Sequence, residues 1–381
     1  MISPQQAVKT RKKNIFILAG EESGDIHGSI LVKEMLKMSP EIKFFGHGGD
    51  KMKAAGVEII EHISSLSMVG FTEVIRHLPR MFNLMNKTVN TIKNLRPDRV
   101  ILIDYPGFNL RLAKKINKLN IPVTYFILPQ VWAWKEKRAE LIKRYIDQAI
   151  SIIPFEKKWF NNHGINIDFV GHPFVDVLNP SITKKEYFLK HSLDINKPLL
   201  TLLPGSRQQE IDRHWPLFID VINKLYEIFP NIQFIVGKAP DVVIPAYPEF
   251  VHIEKDAPRL TVNYGDAGLI ASGTATLEAA VLGLPTVVCY KSSSITYLIG
   301  KRLAKVKYLS LVNLIANRQV VPEFIQDNMT AEKLIKALIP LLSDTPERRK
   351  MVDRYEQITG ELGKTGVYRR TAKLIVDKIN D

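Results

Sequence analysis

The sequence predicts an α/β fold built from two Rossmann-like domains with parallel sheets. Short β-rich segments alternate with helical patterns along the chain, as in parallel sheets that carry helices on both faces. A chain of 381 residues is too long for one common core and suits two domains. A largely polar segment from Pro180 to Pro198 separates the two halves. We therefore predict domains at 1–178 and 179–345, followed by helices at 346–381 that pack back on the first domain.

The composition is that of a globular protein with an excess of positive charge. Hydrophobic residues make up 45% and charged residues 24% of the chain. The 53 basic and 39 acidic residues give a net charge of +14, which favours nucleic acid, anionic lipid surfaces or phosphorylated substrates as partners. Nucleic acid is the least favoured, because we find no zinc-finger spacing, no aromatic RNA-binding signature and no long basic run.

Cysteine usage and hydropathy predict a cytoplasmic protein. A single cysteine, Cys289, excludes an intramolecular disulfide. The first apolar run, Ile15 to Ala19, is shorter than the core of a secretory signal. No window approaches the roughly 18 apolar residues of a membrane-spanning helix. Any membrane role is therefore expected to be peripheral.

In the first half, predicted strands end in turns that suit a ligand site. The strand Asn14 to Ala19 leads into a turn with Glu21, Ser23 and Asp25, and a second strand ends in glycines that include Gly48. The strand Arg99 to Asp104 ends in an acid and is followed by Asn109. Ligands of open α/β sheets bind at the carboxyl ends of strands, which places Asp104 in a site. The glycine-rich segments are equally consistent with flexible loops.

Two tryptophans lie beside three cations after the predicted strand Val123 to Ile127. Trp132 and Trp134 precede Lys135, Lys137 and Arg138. This pattern is consistent with a stacking wall that has phosphate contacts. It is also consistent with a buried aromatic pair under a basic helix, which is the commoner arrangement.

The second half contains two turns of the kind that binds phosphate. A strand from Leu199 to Leu203 leads into a turn that carries Arg207, and a strand from Ala267 to Ala271 leads through Ser272, Gly273 and Thr274 into a helix with Glu278. Open N–H groups at a helix start favour an anion, and a carboxylate such as Glu278 can bind the two hydroxyls of a ribose. An ordinary capped crossover helix explains the second turn equally well.

The stretch from Leu66 to Met85 has an apolar stripe at helical spacing that includes Phe71, Ile75, Leu78 and Phe82, with arginines outside it. The stripe predicts a helix in the membrane interface, although a helix buried against the sheet has the same pattern. Pro79 should kink this helix or divide it in two. The chain has no D-x-D sequence and no histidine spacing typical of a metal site, so we predict neither a metal nor another cofactor.

Ten motifs, in consistent order, carry a family resemblance: AGEESGDIHG, FFGHGGDKM, MVGFTEVI, LIDYPGFN, PQVWAWKEKR, PFEKKWF, FVGHP, LLPGSRQQEI, ASGTATLEAAVLGLP and SLVNLIANRQVVPE. From about residue 14 to 330 the chain resembles the lipid-A-disaccharide synthases, inverting glycosyltransferases of lipid A assembly. The resemblance implies a glycosyltransferase-B fold, in which two Rossmann-like domains face each other across a cleft. It also implies that UDP-2,3-diacylglucosamine and 2,3-diacylglucosamine 1-phosphate give the β-1,6-linked disaccharide 1-phosphate and UDP at the cytoplasmic surface of the inner membrane.

The resemblance also implies roles for particular residues. Asp104 corresponds to the catalytic acid of the LIDxPxFN block. The UDP site comprises Arg207, Ser272, Gly273, Thr274 and Glu278, with Asn313 beside them, and the acceptor side of the cleft comprises Glu21, Ser23, Asp25, Gly48, Asn109 and Trp132. His27 and Tyr105 depart from the family pattern, which affects the expected acceptor contacts. A UDP-sugar 2-epimerase of similar fold and a non-catalytic lipid-binding scaffold are the competing interpretations.

Overall fold

The structure is a computed structural model that describes residues 12–66, 74–176, 180–271, 273–293, 297, 302 and 306–381. It divides into two compact units. The first unit ends at Pro173 and also includes Thr365–Asp381, and the second unit is Phe174–Lys364.

The first unit is built on a parallel sheet of seven strands. Its strands are β1 (Asn14–Ala19), β2 (Lys43–Gly48), β3 (Val57–His62), β4 (Arg99–Ile103), β5 (Val123–Phe126), β6 (Gln148–Ser151) and β7 (Asp168–Phe169). They are ordered β3-β2-β1-β4-β5-β6-β7. Strands β1 and β4 are apolar and buried because helices cover both faces of a parallel sheet. The order of the strands reverses between β1 and β4, where ligands of such sheets bind.

In the described part of the chain, eight α-helices lie between the strands of the first unit. They are α1 (Glu22–Met38), α2 (Asp50–Ala54), α3 (Ile63–Leu66), α4 (Val74–Leu95), α5 (Pro106–Ile116), α6 (Val131–Trp134), α7 (Ala139–Tyr145) and α8 (Glu156–Asn162). The apolar faces of α4, α5 and α7 meet the sheet in one hydrophobic core, to which Met85, Ile92, Leu112 and Ile142 contribute.

The second unit has a six-stranded parallel sheet ordered β10-β9-β8-β11-β12-β13. Its strands are β8 (Leu199–Leu203), β9 (Gln233–Gly237), β10 (Val251–Glu254), β11 (Ala267–Ala271), β12 (Thr286–Tyr290) and β13 (Glu323–Ile325). The described helices are α9 (Lys184–Lys190), α10 (Gln208–Ile228), α11 (Arg259–Tyr264), α12 (Thr274–Val281), α13 (Leu311–Ala316), α14 (Ala331–Leu338) and α15 (Pro346–Glu361). The prediction of two α/β units with parallel sheets is confirmed.

The two last helices belong to different units, so within 346–381 only the final helix belongs to the first unit, as predicted. On α15, the Tyr355 hydroxyl lies 3.1 Å from the Thr286 hydroxyl, and Met351 packs beside it, so this helix stays with the second unit. The final helix, α16 (Val367–Asn380), belongs to the first unit. The unit boundaries lie at 173/174 and 364/365 instead of the predicted 178/179 and 345/346.

Side chains of the first sheet bind the carbonyl groups of α16. Lys13 donates to the Ile379 carbonyl at 3.0 Å, Arg99 donates to the Lys378 carbonyl at 3.1 Å, and Gln148 donates to the Leu374 carbonyl at 3.0 Å. The carbonyls of Lys378 and Ile379 are among the last four of the helix, which have no partner within it, so external donors there stabilise its end. Long-range hydrogen bonds of this kind fix where α16 packs.

The stretch proposed for membrane contact is divided between core and surface. Met85 is 5% exposed and belongs to the core, whereas the Phe82 side chain is 60% exposed. Phe71 and the side chains of Ile75 and Leu78 lie outside the described part of the chain. Helix α4 continues through Pro79, so the alternative of two short helices is wrong. Among the described residues, none of the helices combines the length and the apolar character needed to cross a bilayer.

Candidate active site

Asp104 follows β4 in a strained backbone conformation. Asp104 and Tyr105 both have left-handed backbones, with φ of 43° and 47°. Non-glycine residues rarely adopt this region. Each such residue costs the folded state about 1–3 kcal/mol, so the conformation persists only where the surrounding structure enforces it. The Tyr105 ring lies against Gly20, where a Cβ atom would come within 2.2 Å of the ring. A glycine at the end of β1 therefore makes room for the turn that presents Asp104.

Two buried side chains hold the backbone of Asp104. The Asn109 amide donates to the Asp104 carbonyl at 2.7 Å and to the Ile103 carbonyl at 3.2 Å. The Tyr125 hydroxyl donates to the same Asp104 carbonyl at 2.5 Å. Asn109, predicted as an acceptor contact, is fully buried and supports the turn. The carboxyl group of Asp104 remains available to a ligand because only its backbone takes part in these bonds.

The surroundings of Asp104 make its carboxyl group a better base. Its pKa is raised to about 6, chiefly by burial and secondly by the nearby carboxylate of Glu21, against a smaller opposing effect of the Tyr105 backbone N–H. A general base works best when its pKa lies near the operating pH, because a large fraction is then deprotonated and its affinity for the proton is still high. Glu21 and Ser23, both predicted for the acceptor side, are exposed at the start of α1 on the same side of the sheet.

Asp25 and Gly48, both predicted for the acceptor side, have structural roles. The buried Asp25 carboxylate accepts backbone N–H bonds from Gly49 at 2.6 Å, Lys51 at 3.1 Å and Met52 at 3.0 Å. It thus caps the start of α2 from another helix. Gly48 allows Met52 to pack closely, since a Cβ atom there would lie 2.7 Å from the sulfur of Met52.

Trp132, predicted for the acceptor side, is part of the core, and its indole N–H has a protein partner. It is 6% exposed, and its indole N–H donates to Glu156 at 2.8 Å. Ser151 donates to the other carboxyl oxygen of Glu156, and burial raises the pKa of Glu156 to about 7. Trp134 is the exposed member of the pair, at 50%, with the Lys135 ammonium group 4.2 Å from its ring centre.

The second unit has a pocket of about 540 Å³ at the carboxyl ends of four strands, β8, β9, β11 and β12. Its lining includes Gly205, Arg207, Gly237, Gly273, Thr274 and Tyr290. Gly273 is the N-cap residue of α12, and its φ of 143° requires glycine. Because Gly273 has no side chain, it cannot cap the first N–H groups of α12. These N–H groups can therefore bind an anion. Ser272 lies outside the described residues.

Arg207 presents a nearly free guanidinium group at the edge of this pocket. Its side chain is 73% exposed, and its nearest acid, Glu210, lies 4.0 Å away. Glu210 accepts the backbone N–H bonds of Ser206 at 3.0 Å and Arg207 at 3.3 Å, so it fixes the turn while the guanidinium points elsewhere. His214 joins this turn to the end of β12: its ring binds the Pro204 carbonyl at 2.7 Å and accepts the Lys291 N–H at 2.9 Å.

Glu278 lies on α12, one turn after Thr274, and forms a salt bridge with Arg259 at 3.1 Å. Burial raises the pKa of Glu278, and Arg259 opposes this effect. A paired carboxylate retains free lone pairs, which hydroxyl donors of a ligand can use.

The side-chain amide of Asn313, predicted to lie beside the UDP site, is bound by protein groups. Its amide donates to the Val321 carbonyl at 2.9 Å and to Glu323 at 2.7 Å, and its oxygen accepts the N–H groups of Val320 at 2.6 Å and Val321 at 3.0 Å. All four hydrogen-bonding positions of the amide are therefore used. Through Glu323, which also binds the Leu309 and Ser310 backbones, this network positions Leu309 at the pocket.

No cluster of three or more His, Cys, Asp or Glu side chains able to hold a metal occurs within the ranges that the structure describes.

A family model described as lipid-A-disaccharide synthetase matches residues 15–378. The chain belongs to this family. It is therefore a glycosyltransferase of lipid A synthesis, and the predictions of family and activity are confirmed. A lipid-A-disaccharide synthase of Acidobacterium capsulatum is 37% identical over 373 residues, covering 93% of this chain and 92% of that protein. One from Geobacter metallireducens is 37% identical over 378 residues, covering 96% and 97%.

Solved structures confirm the glycosyltransferase-B type of fold. The calicheamicin glycosyltransferase CalG4 matches with a TM-score of 0.61 and 14% identity, covering 97% of this chain and 99% of the other. UDP-GlcNAc 2-epimerase from Neisseria meningitidis matches with a TM-score of 0.63 and 12% identity, covering 96% of this chain and 99% of the other. At such identities the likeness concerns the fold alone. The family match favours the transferase over the epimerase interpretation.

Sequence reasoning missed three residues that organise these sites: His214, Glu156 and Glu323. Their hydrogen-bond partners are distant in the sequence: one lies 5 positions away, and the others lie 10 or more positions away. A buried acid shortly after a strand, as Glu156 is, was the only available signal.

Proposed function

We propose that this chain condenses UDP-2,3-diacylglucosamine with 2,3-diacylglucosamine 1-phosphate, with inversion at the anomeric carbon of the donor. The observation that carries the proposal is the acid at the end of β4, whose pKa of about 6 suits a general base. In the proposed reaction the acceptor 6-hydroxyl attacks the donor anomeric carbon, its proton passes to Asp104, and the bonding electron pair of the broken C–O bond leaves with UDP.

The second unit supplies the groups for the departing UDP. Arg207, with its exposed guanidinium group, is proposed to bind the diphosphate bidentately. The start of α12 at Gly273 and Thr274 adds backbone N–H groups and the positive end of the helix dipole. Glu278 is proposed to bind the ribose hydroxyls, and the UDP site also includes Ser272. Developing negative charge on the leaving group would thus be stabilised by fixed protein groups, without a carboxylate-held metal.

We also propose that the chain binds the cytoplasmic surface of the inner membrane through the face formed by α4 and α5. The exposed Phe82 lines a small apolar depression with Met81 and Phe108. Beside it, Lys114 and Lys115 on α5 and Lys118, two residues after the end of this helix, surround an open pocket of about 440 Å³. Large apolar groups beside cations suit an interface with anionic headgroups. Phe71, Ile75 and Leu78 remain proposed members of this contact.

Product analysis tests the proposed reaction. Incubation with both substrates in mixed micelles should give UDP and an acylated disaccharide 1-phosphate whose new anomeric coupling constant is that of a β linkage. An isomerised UDP-sugar would indicate the epimerase, and the absence of turnover with lipid binding retained would indicate the scaffold.

A further inference from the structure

The ring of His214 is buried in the second unit, and hydrogen bonds join both of its nitrogens to other parts of this unit. His214 lies on α10, has no exposure to solvent, and its Nδ1 is 2.7 Å from the Pro204 carbonyl. The backbone N–H of Lys291 donates to its Nε2 at 2.9 Å. These partners are 10 and 77 positions away in the sequence. The ring is therefore a bridge between two segments that are distant along the chain.

The partners of the ring define its protonation state. A backbone N–H can only donate, so Nε2 carries a lone pair, and the single proton of the neutral ring is on Nδ1, which donates to the Pro204 carbonyl. Burial, the largest effect on this group, lowers the pKa of His214 and favours the same neutral form. Both nitrogens are thus used within the protein. His214 therefore acts on its surroundings through the two backbone segments that it binds.

Both of these segments continue into walls of the pocket of the second unit. Pro204 directly precedes the turn at 205–207, and all three residues of this turn line the pocket. Lys291 directly follows Tyr290, another lining residue. The centre of the Tyr290 ring lies 5.7 Å from that of the His214 ring. The bridge thus joins two walls of one pocket.

The hydrogen bonds of the described sheet do not join these two walls directly. The strand order places β11 between β8, which leads into the turn at 205–207, and β12, which ends at Tyr290. Strand β11 itself leads toward Gly273 and Thr274, where the proposed anion site lies. Beyond the strand ends, side chains must fix the spacing of the two flanking segments, and His214 binds both of them.

We propose that His214 is a positioning residue for the donor nucleotide, because it holds the Arg207 turn at the distance from Tyr290 at which the pocket fits a nucleoside diphosphate. This inference rests on the proposed function, since it assumes that Arg207 binds UDP. The Arg207 side chain is 73% exposed, so its order depends on the turn that carries it. A turn that must be ordered on binding costs affinity, whereas a buried bridge orders it before the ligand arrives.

Two substitutions test the bridge, because each can keep one half of it. His214→Asn places an amide N–H near Nδ1 and can retain the bond to Pro204, whereas His214→Gln places an amide oxygen near Nε2 and can retain the bond from Lys291. Each variant should bind UDP about tenfold more weakly in calorimetric titration, because one remaining bond no longer fixes the spacing of the walls. The KM for the UDP-linked donor should rise by a similar factor, while the KM for the acceptor should not change. The fitted stoichiometry reports the folded fraction of each preparation.

A double-mutant cycle shows whether His214 acts through Arg207. His214→Gln releases the Pro204 side of the bridge, so in an Arg207→Ala background it should change the UDP affinity by less than about twofold. A general loosening of the unit would instead weaken UDP binding equally in both backgrounds. Tyr355→Phe is the matched control, because it removes a buried hydroxyl that lies 3.1 Å from the Thr286 hydroxyl at the other end of β12. This variant should keep the UDP affinity of the parent.

Unchanged UDP affinity in either His214 variant, an equal loss in both Arg207 backgrounds, or a KM that rises equally for donor and acceptor would overturn the positioning role. Equal weakening by Tyr355→Phe would also overturn it, because the effect would then follow from any lost hydrogen bond of the unit. A parent chain that does not bind UDP would contradict the proposed donor site and this inference with it. A parent that binds UDP but forms no disaccharide would contradict only the proposed reaction.

Discussion

Replacement of Asp104 by asparagine tests the role of this residue through activity and stability together. Asparagine keeps the shape of the side chain and tolerates the left-handed backbone that Asp104 adopts, so the change removes the ionisable group without adding strain. The loss of a general base should lower kcat by about 10² to 10⁴. Because the proposed UDP site is in the other unit, the affinity for UDP should stay close to that of the parent.

The same substitution should stabilise the fold at neutral pH. The pKa of Asp104 is about 6 in the folded chain against an ordinary value of 3.8. Between these pH values the folded chain binds more protons than the unfolded chain, so ionisation destabilises the parent increasingly from pH 3.8 upward and fully above pH 6. The difference corresponds to at most about 3 kcal/mol. The asparagine variant should therefore be more stable than the parent at pH 8 and should lose this advantage at pH 4.

Urea unfolding of both chains at pH 4 and pH 8 measures the stability difference, and the pH profile of kcat/KM in the parent should have an acid limb near pH 6. Glu21→Gln is a useful companion, because removal of its charge should lower the pKa of Asp104 and move that limb to lower pH while turnover persists. Turnover of Asp104→Asn within about threefold of the parent would exclude Asp104 as the base. Parallel stability curves for the two chains would refute the argument from burial.

Three further predictions concern the donor, the metal and the membrane. Arg207→Ala should weaken UDP binding and turnover together, and Arg207→Lys should not fully restore either, because a point charge cannot replace a bidentate fork; unchanged calorimetric UDP affinity would place the nucleotide elsewhere. Activity should survive exhaustive treatment with EDTA, and its loss with recovery only in Mg²⁺ or Mn²⁺ would contradict the metal-free account of leaving-group stabilisation. Phe82→Ser should reduce sedimentation with anionic vesicles without lowering the melting temperature, since this side chain is 60% exposed; a sharply lower melting temperature with binding unchanged would make Phe82 a packing residue.

Local patterns in the sequence determined the architecture and the positions of the reactive groups. Apolar runs between turn residues predicted most strands of both sheets, although not β3 and β13, because buried parallel strands require such runs. The acid at the end of β4 and the glycine turn before α12 were identified for the same reason: a parallel sheet presents the carboxyl ends of its strands on one side. These features depend only on neighbouring residues.

The tertiary structure alone decided which polar side chains are free to meet a ligand. Asp25, Trp132 and Asn313 lie in motifs that suggested contacts, yet their polar atoms bind protein groups 7 to 27 positions away. A buried polar group must find a partner, and the sequence does not say whether that partner is a ligand or a distant part of the chain. The same limit applies to the last helices, because the donors that bind the carbonyls of α16 are 226 to 366 positions away from those carbonyls in the sequence.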